Sequence, residues 1–97
     1  MKKVKKYFSF AELNEDFMIL ERIHYLIIQA YICGEVKIAQ INDFSEQLNL
    51  IRDSIDTLEK DEENIYNIAK IKSKMQHFYT EILEDEELIT MAYKNSL

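Results

Sequence analysis

The chain has 97 residues, with 18 acidic and 12 basic side chains, a formal charge of −6, no proline, one glycine and one cysteine. That length suits one domain; a lone cysteine excludes an internal disulfide and a four-cysteine zinc site, and so little glycine and proline leaves no turns for a sandwich or barrel. An apolar share of 47% argues against disorder.

Lys2, Lys3, Lys5 and Lys6 make the first six residues basic, leaving 8 basic against 18 acidic side chains, a net of −10, in residues 7–97. So acidic a body repels phosphate backbones, and no nucleic-acid partner is expected. Residues 1–8 read as a solvated basic tail ahead of a single helical domain over 9–97. The tail resembles the start of a signal peptide, but Glu12, Asn14, Glu15 and Asp16 stand where an apolar run would follow. The apolar stretch Phe17 to Cys33 contains Glu21, Arg22, His24 and Gln29, so no membrane span is expected. With no export signal and a single thiol, the expected location is cytoplasmic.

The first helix announces itself at Ser9-Phe10-Ala11-Glu12, a capping box in which Ser9 accepts the Glu12 amide and Glu12 reaches back to the Ser9 amide. Phe8 and Leu13 are placed to form a hydrophobic staple across it. The helix should run to about Cys33, because Gly34 stands where a left-handed residue ends a helix. Leu13, Phe17, Leu20, His24, Ile27 and Tyr31 form one stripe. Ile23, Leu26 and Ala30 widen it on one side, and Tyr25, Ile28 and Ile32 on the other. A helix that is apolar nearly all round is central in its fold or part of an interface.

Asp43-Phe44-Ser45-Glu46 offers a second capping box as a start for the second helix, which leaves Val36 to Ile41 as either a leading helical turn or an extended linker. Ile41, Phe44, Leu48, Ile51, Ile55 and Leu58 form the helix's seam. Residues 59–64 are all charged or polar and predict a break, with Asp61 capping a third helix. That helix carries Ile68, Ile71, Met75, Phe78, Ile82 and Ile89 in register, and Glu84-Asp85-Glu86-Glu87 predicts a kink or a projecting end. Leu88 and Met91 then fall on a different face. The fold class is all-α, an antiparallel three-helix bundle open to dimerisation.

Little in this chain points to catalysis. Glu21 and His24 have the Glu-x-x-His spacing of di-iron bundles, but the second copy is missing, since Lys74 stands three before His77. His24 reads instead as a core histidine bonded to a neighbour such as Glu21. Cys33 reads as a buried, inert thiol, and the acidic runs as solvated helix faces. No metal, cofactor or catalytic residue is assigned. The candidate partner-binding residues are Tyr25, Ile28 and Ile32, with a second patch at Leu88 and Met91; the alternative is that the third helix covers the first group. The long apolar helix, its Gly34-Glu35 corner and the return helix, Ile23 to Leu58, are loosely similar in outline to flagellar and type III export chaperones, without a diagnostic motif. These features predict a non-enzymatic module that binds a protein partner, including a second copy of itself, in the manner of an export chaperone, an immunity or antitoxin protein or a phage inhibitor. The alternative is an acidic mimic of nucleic acid that occupies a basic groove.

Overall fold

Capping chemistry sets most of the helix boundaries in the computed structural model, which describes residues 4–97. Among the described residues there are four helices: α1 (Phe10–Ile32), α2 (Ile38–Ser54), α3 (Ile65–Leu83) and α4 (Glu86–Asn95), with a 3-10 turn at Ile55–Thr57 closing α2. The all-α bundle expected from the sequence is present, with its third helix divided in two.

At the start of α1, the Ser9 hydroxyl accepts the Glu12 amide at 3.4 Å, while Glu12 accepts the Phe8 amide at 2.9 Å, one residue earlier than expected. The staple is not made by Phe8, which is exposed; Tyr7 turns into the core instead. At the other end, Gly34 has φ +73, its amide donates to the Tyr31 carbonyl, and the Glu35 amide donates to the Ala30 carbonyl. This pair of bonds is a Schellman cap. Buried Val36 then fixes the corner.

α2 begins at Ile38, so the residues ahead of Asp43 form a leading helical turn from Ile38 rather than an extended linker, and Asp43 is not the cap. The Gln40 side chain accepts the Lys37 amide at 2.9 Å, and Ser96, beyond α4, accepts the Ile38 amide at 2.9 Å. Those two bonds satisfy donors that a helix start leaves open, so the helix needs no cap from Asp43. The α2 seam is buried from Ile41 through Leu58. The break at residues 59–64 is present, but the N-cap of α3 is Asn64 rather than Asp61; Asp61 sits in the turn before it and accepts the Asn64 amide with its side chain and the Ile65 amide with its carbonyl.

The acidic run does more than kink the third helix. Asp85 is extended, and its carboxylate accepts the Leu88 amide at 3.1 Å, which makes it the N-cap of α4. Glu86 and Glu87 follow in the first turn, where the helix dipole favours negative charge.

Side-chain pairs give the topology. Gln47 donates to the Asp16 carbonyl at 2.8 Å and, further along α1, the His24 ring lies 6.4 Å from that of Phe44, so α2 returns antiparallel to α1. Phe17 stacks on Phe78 and His24 meets Glu81, so α3 runs parallel to α1. α4 crosses the α1–α2 corner: Glu87 accepts from Tyr31, and Asn95 donates to the carbonyls of Gly34 and Val36. α2 packs against all three other helices and is the centre of the fold. The body is only 18 Å thick along its shortest axis, room for two layers of helices.

The expected solvated tail is attached from Lys5 onward, while Lys2 and Lys3 lie outside the described residues. The Lys5 amide donates to Ser54, and the Tyr7 amide to Thr57. The Tyr7 hydroxyl donates to the nearly buried Asp16 at 2.7 Å, and the Lys5 ammonium reaches the same oxygen at 3.1 Å. Burial, followed by the hydrogen bond to Asp16, holds the Tyr7 phenol well above its ordinary pKa. The segment thus joins the start of α1 to the end of α2.

Candidate functional site

α1 carries apolar side chains on two opposite faces, and the fold uses one of them. Leu13, Phe17, Leu20 and Ile27 point inward and are buried. On the outer side Met18 is 59% exposed, Ile19 49%, Tyr25 60%, Leu26 49% and Ile32 71%. At 100° per residue these lie in two heptad rows. One row is Met18, Tyr25 and Ile32; the other is Ile19, Leu26 and Cys33. Arg22 and Gln29, both exposed, run between them. Cys33, expected to be buried, is exposed at the end of this face. The reason is geometric: it is the C-cap, one position past the last helical residue, on the outer row.

The candidate binding residues are divided by the structure. Tyr25 and Ile32 are on the outer face. Ile28 is half-buried and packs against the core. Leu88 is buried and Met91 half-buried, so the second patch is part of the interior of α4 rather than an outside surface. Met18 and Ile19 join the face without having stood out in the sequence, and Leu26, which widens the main stripe on the side away from Tyr25 by spacing, is exposed on it too. The signal that locates them is the seven-residue spacing of Met18, Tyr25 and Ile32 opposite the Leu13–Phe17–Leu20 stripe.

Beside the inner face, the His24 ring lies 4.1 Å from the Phe78 ring, and its Nε2 is 2.8 Å from the Glu81 carboxylate. The partner is therefore Glu81 on α3 rather than Glu21. His77 contacts the other Glu81 oxygen. This cluster joins α1 to α3. Among the described residues no group of three His, Cys, Asp or Glu side chains is arranged to hold a metal ion, and no helix is long and apolar enough to cross a membrane.

A shallow cavity of about 310 Å³ lies between α2 and α3, with Leu48, Ile55 and Met75 as its floor and Arg52, Lys72 and Tyr79 among its rim. Lys72 is paired there with Asp56 at 3.2 Å. The other chemical feature of the rim of the fold is Tyr31, whose phenol the hydrogen-bonded Glu87 holds above its ordinary pKa.

No family model matches this chain, and no curated protein or solved structure matches it either. The geometry of α1 is therefore the guide to function.

Proposed function

We propose that this protein acts by binding protein through the outer face of α1, without catalysis. One observation carries the reading: five large apolar side chains lie exposed along a single helix face of an otherwise acidic, charge-rich molecule. Scattered exposed apolar residues are ordinary, but a continuous stripe rimmed by polar groups marks an interaction site. Tyr25 suits such a site, since it adds apolar area with a polar tip.

The test is substitution on the stripe. Leu26→Asp and Tyr25→Asp should keep the helical content of the parent, since both side chains already face water, and should lose the protein partner. The partner is to be identified by mass and the complex rebuilt from two purified components. A rebuilt complex that binds the variants as well as the parent refutes the reading. Binding by this face should persist at high salt, whereas an acidic mimic of nucleic acid would release its partner steeply as ionic strength rises.

A further inference from the structure

We infer that the outer face of α1 is built to pair with the same face of a second copy, antiparallel, about a two-fold axis passing between Tyr25 and Leu26. This rests on the reading of that face as a docking surface and adds its occupant and register.

The order of residues along the face carries the inference. Counted outward from the point between Tyr25 and Leu26, the exposed positions from Met18 to Cys33 are symmetric, and exposed Glu15 lies beyond the symmetric stretch without a counterpart. Tyr25 has Leu26 as its counterpart, Arg22 has Gln29, Ile19 has Ile32, and Met18 has Cys33. In an antiparallel two-fold pair, each residue sits at the height of its counterpart on the partner copy. Apolar side chains then meet apolar ones at three levels, and the polar pair meets at the level between. A two-fold interface uses one patch twice and must be self-complementary, which is what this order provides.

Charge selects the direction. Aligned in parallel and in register, Arg22 would face a second Arg22 across an apolar seam, a like-charge contact with no acid between them. Antiparallel, Arg22 meets the Gln29 amide, whose oxygen accepts its hydrogen bonds. The two-layer body places α2 and α3 behind α1, so the partner's α1 can approach at ordinary helix-packing distance.

Area sets the strength. Five side chains about half to two-thirds exposed, with Arg22 and Gln29, would bury on the order of 600 Å² per copy. A total near 1,200 Å² is at the small end of specific interfaces and fits a dissociation constant in the micromolar range. Each copy carries a net charge of −6, so salt should tighten the pair slightly by screening repulsion.

Cys33 makes the register measurable. In the antiparallel pair the two Cys33 thiols lie about 22 Å apart along the seam, fifteen residues at 1.5 Å each, and each is level with Met18 of the other copy, across the seam in the neighbouring row. The experiment compares the parent and Met18→Cys by light scattering at about 10 µM and about 500 µM, bracketing a micromolar constant, then by mild oxidation with peptide mapping. The expected result is a mass that rises toward twice the chain mass with concentration. The parent should give no disulfide between copies, and Met18→Cys should give links between positions 18 and 33 of different copies. Leu26→Asp should stay monomeric with unchanged helicity. Links joining 33 to 33 and 18 to 18 would mean a parallel pair and overturn the inference while leaving the docking face intact. A monomer at both concentrations overturns the second copy as occupant; the rebuilt complex with a different protein and its response to Leu26→Asp then decide the docking face separately.

Discussion

Tyr7→Phe removes one oxygen from the core and tests how the N-terminal segment is held. The ring is buried and should stay so, leaving the apolar contribution unchanged. What is lost is a 2.7 Å hydrogen bond to the Asp16 carboxylate, which is itself nearly buried. A hydrogen bond to a charged group contributes about 1.5–3 kcal/mol, and an acceptor stranded in the interior adds a desolvation cost. The Lys5 ammonium still reaches the same oxygen, so the lower part of the range applies, about 2 kcal/mol. With a urea slope of about 1–3 kcal/mol per molar for a small protein, the midpoint should fall by roughly 1 M. Far-ultraviolet circular dichroism in urea would measure it. Burial of the phenol, together with the same bond, predicts a pH effect. The folded phenol is held above its ordinary value, so the folded state binds the proton more tightly than the unfolded chain. This contribution is complete at neutral pH and is lost as pH rises above about 10. The parent should therefore weaken more steeply than Tyr7→Phe in alkaline solution. A Tyr7→Phe variant within about 0.5 kcal/mol of the parent, with the same alkaline slope, would refute the account of the latch.

Three further outcomes can be stated. Gly34→Ala should lower stability by about 1 kcal/mol, because an added Cβ meets no atom within 4 Å and the whole cost comes from the positive φ. Urea titration checks it, and a neutral result would mean the corner relaxes freely. Asp85→Ala should remove about 1 kcal/mol and speed amide exchange in α4 ahead of the other helices, since the Leu88 amide loses its acceptor. Leu88→Ala should cost about 2–5 kcal/mol as a core truncation, whereas Leu26→Ala should cost the monomer under about 1 kcal/mol; equal losses would contradict the assignment of one to the interior and the other to the outer face.

Local chemistry was the most readable part of this sequence. Ser9 and Gly34 bracket α1 because capping depends on neighbours a few residues away, and the α2 seam was visible because its spacing is regular. Boundaries set by distant partners were not visible. Nothing near Ile38 announces that Ser96 will accept its amide, and nothing in residues 1–8 announces Ser54 and Thr57 as anchors. Read as one continuous helix, the run puts Leu88 on the outside; once Asp85 starts a new helix, the periodicity resets and Leu88 turns inward. The candidate face was half legible. Tyr25 and Ile32 stood out as apolar residues beyond the main stripe, but with both sides of the helix apolar, spacing alone could not say which side α2 and α3 would cover. In the fold, Ile28 packs against the core and Leu26 is exposed.

The same ambiguity confronts the chain as it folds. α1 carries large apolar side chains on both sides, so hydrophobic collapse alone specifies its orientation less sharply than it would for a one-sided helix. Polar contacts sharpen it. Asp16 finds Tyr7 and Lys5, its carbonyl finds Gln47, and His24 finds Glu81 only when the Leu13–Phe17–Leu20 side faces inward. Rotating the helix would strand these groups and turn Met18 and Tyr25 into the interior. The polar contacts thus act as a key to a single arrangement rather than as a large source of stability. Stripping them out while preserving volume should leave a helical protein whose α1 samples both orientations, visible as broadened side-chain resonances along its length.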